Sequence, residues 1–304
     1  MKPTMYDNFN MLSNRVQDAL SNTNLEETRK VLKSIKEPTI VTGVGGSKVV
    51  AVFTSKILSQ KNGIISIPLE PRDLIYHPTT GYSNILACSY SGTNFGVETS
   101  FQNSLNKYLL SSTQAKDITN IQYQTTLPKE HSFISLAATI IPMTIMLDYY
   151  LDGNNQVIDE IISTSEPNIE ESKVYEIMSG YVTSSAHTYL ESTMLEAGLS
   201  IPIVHDKYSY CHGRSTTSYH NDHSLIYFDK DTELDKLMLE ELKDYYRKII
   251  ILKSQYQDPI IDDYYLTIKS MLLTKQLASL QQKDLSRVEY SPVVKTLYKY
   301  KGSM

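Results

Sequence analysis

The sequence contains few cysteines and no excess of basic residues, and each shortage excludes a class of protein. Two cysteines, Cys88 and Cys211, are too few for a disulfide framework. A reducing, cytoplasmic location is therefore expected. Acidic residues outnumber basic ones, 34 against 29, which gives a formal net charge of −5. This balance argues against a nucleic-acid-binding surface.

Long apolar runs are also absent. The longest, Phe133 to Leu147, is shorter than the roughly 20 residues that a membrane-spanning helix needs. Pro142 interrupts it, so this stretch is interpreted as a buried helix. The first ten residues show no basic segment followed by an apolar one, so no signal peptide and no membrane association are expected.

The residues that are present indicate a globular protein of two domains. Hydrophobic residues make up 41% of the 304 residues and charged residues 21%, enough to build a core in each half. Domains of about 100–200 residues make two domains the natural expectation for this length.

In the first half, short continuous apolar segments alternate with longer segments whose apolar residues recur at helical spacing. Strands are predicted at 38–43, 64–69, 85–89 and 107–111, and helices at 11–36, at 47–60, from about 94, and at 131–150. Alternating strands and helices with nearly continuous apolar strands predict a parallel sheet covered on both faces.

The second half repeats this plan after a turn cluster, Asp152-Gly-Asn-Asn155. Strands are predicted at 174–178, 201–205, 225–229 and 248–253, and helices at 183–197, 234–247 and 260–280, with Gly198 closing the first of these helices. The pattern predicts an α/β protein with domains at 1–152 and 153–304, related as a tandem duplication of one fold.

A glycine-rich turn, Thr42-Gly-Val-Gly-Gly-Ser47, lies between a predicted strand and a helix N-terminus. Glycine allows close backbone approach, and the free N–H groups of a helix N-terminus favour an anion, which makes Gly45 and Ser47 candidate phosphate ligands. Lys48 stands where a dinucleotide fingerprint requires glycine, and no Walker sequence occurs. A purely structural glycine turn remains the alternative.

A second strand-to-helix loop, Ser89-Tyr-Ser-Gly-Thr-Asn94, is rich in hydroxyl groups. Such a loop can donate several uncharged hydrogen bonds to a phosphate, so Ser89, Ser91, Thr93 and Asn94 are candidate phosphate ligands. A helix cap rich in serine and threonine is the alternative.

Together these loops resemble those of the sugar-isomerase (SIS) domain family. Ser-Tyr-Ser-Gly is similar to the family's phosphate-binding loop, Ser-x-Ser-Gly-x-Thr, after the third strand, and the turn at 42–47 resembles its first-strand loop. Glu130 is placed like the family's glutamate ahead of a long apolar helix. The chain departs from the family pattern at Asn94, where threonine is usual and Thr93 stands one place earlier.

The second half adds a candidate acid–base pair. Glu196 and His212-Gly213, with the histidine 16 positions after the glutamate, resemble the pair in two-domain members such as the isomerase part of glucosamine-6-phosphate synthase. The resemblance implies two flavodoxin-like SIS domains, a bound sugar phosphate and enediol chemistry. Glu196 would move the proton, His212 would open the sugar ring, and Arg214 would steady a phosphate or enediolate oxygen. Glu191 ranks second as the base.

Other chemistry is not expected. His220 and His223, with Asp222 between them, lie in a polar, turn-like stretch where no third ligand to complete a metal site is obvious. Neither a metal nor another cofactor is therefore expected. Cys211 next to His212 is not expected to act as a nucleophile. The resemblance further implies a homodimer with shared sites, and no glutaminase domain is expected. Two functions stay open: a phosphosugar isomerase, deaminase or deglycase, and a non-catalytic sugar-phosphate sensor that acts on another protein.

Overall fold

A computed structural model describes residues 4–77, 79–103, 105–216, 222–287 and Val293. The first half forms a five-stranded parallel sheet with the order β2-β1-β3-β4-β5. Its strands are β1 (Thr39–Thr42), β2 (Ser66–Leu69), β3 (Asn84–Cys88), β4 (Asn106–Ser111) and β5 (Thr119–Gln122). Because the strand order changes direction between β1 and β3, a crevice is expected at their carboxyl ends.

Helices cover both faces of this sheet. They are α1 (Met5–Asn10), α2 (Leu12–Asn22), α3 (Leu25–Ser34), α4 (Gly46–Asn62), α5 (Phe95–Ser100) and α6 (Ala137–Tyr150). The sequence predictions for β1 to β4 and for α2 to α6 are confirmed, with shifted ends, whereas α1 was not predicted. β5 was not predicted, because Ile121 is its only apolar residue.

The sequence predicted that the sixth helix begins at His131, but in the structure it begins at Ala137. The Glu130 carboxylate accepts hydrogen bonds from the backbone N–H groups of Leu136, Ala137 and Ala138, at 3.2, 2.7 and 3.0 Å. It thereby satisfies donors that a helix N-terminus leaves without partners. The helix is apolar on all sides, and all but two of its residues are buried, so it forms the centre of the core.

The second half forms a four-stranded parallel sheet with the order β7-β6-β8-β9. Its strands are β6 (Val174–Ser179), β7 (Ile201–Asp206), β8 (Ser224–Asp229) and β9 (Lys248–Lys253), and its helices are α8 (Ser184–Glu196), α9 (Lys207–Cys211), α10 (Glu233–Leu242) and α11 (Pro259–Leu280). The predicted elements are confirmed, although α10 ends five residues before Arg247. α9 is too short for a periodic signal and was not predicted.

The predicted boundary after Asp152 falls on a turn, where Asp152 and Gly153 both take positive φ angles. α7 (Gln156–Ile162) follows the turn and contacts α2 of the first half and α11 of the second. The exact division of the chain stays a prediction. Within the described residues, no helix combines the length and the apolar character needed to cross a membrane.

Candidate functional site

The crevice between β1 and β3 is bordered by two loops. The glycine loop (Gly43–Gly46) follows β1, and the serine loop (Ser89–Asn94) follows β3. Both leave the carboxyl edge of the sheet and each leads into a helix, which is where parallel α/β sheets bind their ligands.

Glycine is required in the glycine loop for steric reasons. Gly45, the N-cap of α4, has φ +59° and ψ −129°, a conformation open in practice only to glycine. A Cβ atom on Gly46 would stand 2.5 Å from Thr139 Oγ1 and 2.7 Å from Ser135 Oγ. The α4 N-terminus is therefore pressed against hydroxyl groups at the start of α6.

The serine loop is built around two of its own side chains. Ser89 Oγ, buried, accepts hydrogen bonds from Gly92 N and from Asn94 Nδ2, both at 3.1 Å. Asn94 Oδ1 accepts from Val97 N at 3.0 Å and caps α5. These two residues hold the loop and the helix start. Ser91, Thr93 and Asn94 are all exposed, but the Asn94 amide is already used within the loop and at the helix start, so Ser91 and Thr93 are better placed to meet a ligand.

Two residues at the end of β4 also shape the serine loop, and the sequence analysis missed them. Thr113 Oγ1 donates to Ser91 O at 2.8 Å, and Ser111 Oγ lies 3.1 Å from Thr113 Oγ1. A Cβ atom on Gly92, whose φ is +66°, would stand 2.6 Å from Thr113 Oγ1. The available signal was the run Ser111-Ser-Thr113, which follows a strand at the same edge of the sheet as the serine loop.

The second domain contributes Glu196 to this crevice through an antiparallel helix pair. Lys56 lies three turns into α4, and its Nζ donates a hydrogen bond of 3.2 Å to Val182 O, near the start of α8. At the other end of α8, Glu196 Oε1 lies 3.8 Å from the point where a Cβ atom on Gly45 would stand. The last residue of α8 therefore lies beside the first turn of α4.

Two opposing effects set the acidity of this carboxyl group. Glu196 is an exposed residue, yet the neighbouring protein still desolvates its carboxyl group enough to raise its pKa, and a hydrogen bond from Ser192 lowers it. The Ser192 hydroxyl donates to Glu196 Oε1 at 3.0 Å. A carboxylate whose pKa is raised is a stronger base than that of a free glutamate, which suits a group that accepts and returns a proton.

Tyr189, on the same helix, is a buried residue that the sequence analysis did not single out. Its side chain is 1% exposed, and its hydroxyl has no hydrogen-bond partner among the described residues. Burial raises the pKa of Tyr189 far above its ordinary value, and the charges of Glu130 and Glu196 act in the same direction. Tyr189 therefore lies within electrostatic range of both carboxylates.

Comparison with solved structures identifies this architecture. A putative phosphosugar isomerase from Clostridium difficile 630 superposes with a TM-score of 0.72 at 13% identity, covering 97% of this chain and 98% of its own. Tagatose-6-phosphate ketose/aldose isomerase from Escherichia coli gives 0.71 at 12% identity, with 95% and 96% covered. Glucosamine-6-phosphate deaminase from Thermotoga maritima gives 0.70 at 12% identity, with 93% and 96% covered.

The chain has the tandem SIS fold. No family model and no curated protein matches the sequence. The likeness to these solved structures establishes the fold that the resemblance of the two loops implied.

The two SIS domains differ at their crevices. In the second domain β8 ends at Asp229 and the loop after it carries Asp231, whose backbone N–H donates to Asp229 Oδ1 at 2.7 Å. Asp235, which follows, accepts hydrogen bonds from Lys230 N and from the buried Lys207 ammonium. An acidic loop satisfied by its own neighbours is a poor phosphate site, so the anion-binding features are concentrated in the first SIS domain.

His212 lies elsewhere in the single chain. It is exposed at the C-cap of α9, past the carboxyl end of β7, and Arg214 nearby is exposed as well. Glu196 precedes the amino end of β7, so the length of that strand, roughly 20 Å, separates the two along the sheet. The structure does not bring Glu196 and His212 together within one chain. Glu191 lies midway along α8 and is partly exposed.

The remaining candidates have other roles. The described residues contain no group of three or more histidine, cysteine or acidic side chains arranged to hold a metal ion. His220 lies outside the described residues, and His223 Nδ1 lies 3.0 Å from Glu176 Oε1 inside the second domain. Cys211 is exposed, whereas burial raises the pKa of the Cys88 thiol to about 12.

Proposed function

We propose that the crevice between β1 and β3 binds a sugar phosphate and that Glu196 catalyses its aldose–ketose isomerisation or a related aminosugar-phosphate deamination or deglycation. The observation that carries this proposal is the position of the Glu196 carboxylate beside Gly45 at the N-terminus of α4. A phosphate held by the serine loop would leave its sugar between that loop and this carboxylate.

The chemistry needs one group that both takes and returns a proton. The Glu196 carboxylate takes a proton from C2 of the open-chain aldose, which leaves an enediolate with its charge on O1. A proton then moves from O2 to O1, and the Glu196 carboxyl group returns its proton to C1, which gives the ketose. Because desolvation raises the pKa of Glu196, its carboxylate is a stronger base than that of a free glutamate, which suits a group that takes and returns a proton. Ser91, Thr93 and the α4 N-terminus are the proposed phosphate donors.

Ring opening requires a second group, and His212 is the candidate. Since the length of β7 separates it from Glu196 in one chain, we assign His212 to the crevice of a second copy in a homodimer. Arg214, two residues further on, would accompany it and contact phosphate or the enediolate oxygen.

A sugar-phosphate sensor without catalysis is the second candidate function. It is favoured by the separation of His212 from Glu196 and by the use of the Asn94 amide within the serine loop. A sensor needs the phosphate site and has no requirement for the Glu196 proton transfer. The two functions therefore make opposite predictions for Glu196.

The deciding experiment combines binding with isotope exchange. A thermal-shift screen against sugar phosphates selects a ligand, because binding to the folded state alone raises its melting temperature. The bound sugar is then followed by NMR in heavy water for exchange of its C2 proton. Wild type should exchange the proton, and Glu196→Gln should slow exchange about 100-fold while still binding. Glu191→Gln, on the same helix, is the matched control and should exchange normally.

Two outcomes count against the proposal. A ligand that binds without any C2 exchange in wild type leaves the sensor as the function. Loss of exchange in Glu191→Gln but not in Glu196→Gln moves the base to the other glutamate.

A further inference from the structure

The two sheets differ by one strand at their outer edge. In the first sheet β5 pairs with β4, whereas in the second sheet β9 stands at the edge. The chain passes from the end of β9 at Lys253 into α11 at Pro259 without another strand. Within the described residues, the position equivalent to β5 is therefore vacant in the second SIS domain.

A cavity of about 380 Å³ lies at this vacant position, within the range typical of ligand pockets, about 300–1,000 Å³. Its lining comprises four residues at 167–170, most of β9, and Tyr265 and Lys269 of α11. The neighbouring segment 164–172 makes no backbone hydrogen bond to β9 in the part of the chain that the structure describes. The outward N–H and C=O groups of β9 therefore remain open to pairing.

The β9 edge is positively charged. Lys248, Lys253 and Lys269 line the cavity, and Glu170 is the only acidic residue among its lining residues. Glu170 pairs with Lys248 at 2.9 Å, which leaves an excess of two positive charges. Ile251, 48% exposed, adds apolar surface to the same strand.

We propose that the β9 edge binds an extended acidic segment of a partner protein, which pairs with β9 as the fifth strand of the second sheet. Backbone hydrogen bonds along β9 would supply affinity, and the lysines would select acidic side chains. A second copy of β9 would bring lysines against lysines, so this edge disfavours self-association. The inference is independent of the proposed sugar chemistry, since none of these residues borders the β1–β3 crevice.

The test uses the full chain and a defined probe. The probe is a capped seven-residue peptide of alternating valine and glutamate, carrying fluorescein, and binding is read by fluorescence anisotropy. The peptide should bind and should slow amide hydrogen exchange at Ile249 to Leu252. The double variant Lys253→Glu/Lys269→Glu should weaken binding by about tenfold or more, because it reverses two charges at the cavity. Lys33→Glu, an exposed lysine of α3, is the matched control and should bind like wild type.

Backbone methylation separates strand pairing from simple charge attraction. Two further peptides carry N-methyl groups on one or the other alternating set of residues. Because alternate residues of a strand direct their N–H groups to the same side, one of these peptides should lose binding and the other should keep it. Melting temperatures of both protein variants must match wild type, which excludes unfolding as the cause of weaker binding.

Three results overturn the proposal. One is the absence of peptide binding by wild type. Another is equal binding of the two methylated peptides, which would show attraction without strand pairing. The third is displacement of the peptide by inorganic phosphate together with the same protection of β9, which would identify a site for small anions.

Discussion

Lys56 of α4 and Asp263 of α11 form a buried ion pair between the two SIS domains. The side chains are 5% and 0% exposed, and Asp263 Oδ1 also accepts a hydrogen bond from Ala186 N at the start of α8. Desolvation lowers the pKa of Lys56, and the Asp263 charge partly offsets this effect. The pair fixes the far end of the α4–α8 contact, whose near end places Glu196 beside Gly45.

Breaking this pair from one side should be strongly destabilising. Lys56→Met leaves the Asp263 charge buried without a counter-charge, with only the hydrogen bond from Ala186 N remaining, so the free energy of unfolding should fall by about 3–5 kcal/mol in chemical denaturation. The double variant Lys56→Met/Asp263→Leu removes both charges and should recover much of the loss. If the double variant is as unstable as the single one, the ion pair is not the source of the effect.

A second buried carboxylate should make stability depend on pH. Desolvation raises the pKa of Glu176, but hydrogen bonds with Tyr246 and His223 and the His205 imidazole, 3.1 Å away, outweigh it and lower the pKa from 4.5 to about 2. A lowered folded-state pKa means that these contacts stabilise the fold above pH of about 4.5 and lose this effect as the pH falls towards 2. The full contribution is about 3 kcal/mol.

The measurement compares Glu176→Gln with wild type in denaturant at several pH values. The difference in free energy of unfolding should be largest near pH 7 and should shrink below pH 4.5. Glu171→Gln, an exposed glutamate five residues earlier, is the control and should show little difference at any pH. A difference for Glu176→Gln that stays constant from pH 7 to pH 3 contradicts the assigned pKa.

The parallel sheets and both crevice loops were predictable because local patterns encode them. Strand β9 was predicted at its observed ends, since its continuous apolar run Ile-Ile-Ile-Leu lies between two lysines and is bounded by polar segments. Asn94 could be recognised as a capping residue, although the sequence did not decide between capping and phosphate binding. Its two hydrogen bonds within the loop explain why asparagine suits this position.

Contacts between distant segments could not be predicted in the same way. No local pattern joins Glu196 to Gly45, because their proximity depends on the antiparallel packing of α4 on α8. The buried partners of Glu176 come from three separate segments, and the tyrosines gave no signal of their role. The sequence left phosphate binding and loop capping open for Ser89, and only the hydrogen-bond geometry shows that its hydroxyl holds the loop.

The pH dependence of catalysis should report on Ser192. Glu196 must be deprotonated to accept the C2 proton, so activity should rise with pH through its raised pKa. Ser192→Ala removes the hydrogen bond that lowers the pKa of Glu196, and the acidic limb of the rate profile should move to higher pH. Initial rates measured across the acidic range give this limb directly. If the acidic limb of the rate profile stays at the same pH, Ser192 does not influence the proton transfer.

The two serines of the serine loop should respond differently to substitution. Ser91→Ala removes an exposed hydroxyl and should weaken sugar-phosphate binding by about 1–2 kcal/mol with little change in stability. Ser89→Ala removes the acceptor for Gly92 N and Asn94 Nδ2 and should lower the free energy of unfolding by about 1–3 kcal/mol. Calorimetry and denaturation on each variant separate the effects. Unchanged affinity in Ser91→Ala would remove its hydroxyl from the site.

Sharing of the active site between two copies can be tested by mixing inactive variants. If His212 of one copy serves Glu196 of the other, a heterodimer of Glu196→Gln and His212→Ala has one site with both native residues and one site with neither. Its activity on a cyclic substrate should therefore recover to about half that of wild type. Differently tagged subunits, refolded together and purified through both tags, provide this heterodimer. If each chain used its own His212, every site of the heterodimer would carry one substitution. The mixture would then be no more active than its parents, and the assignment of His212 to the partner's crevice would be wrong.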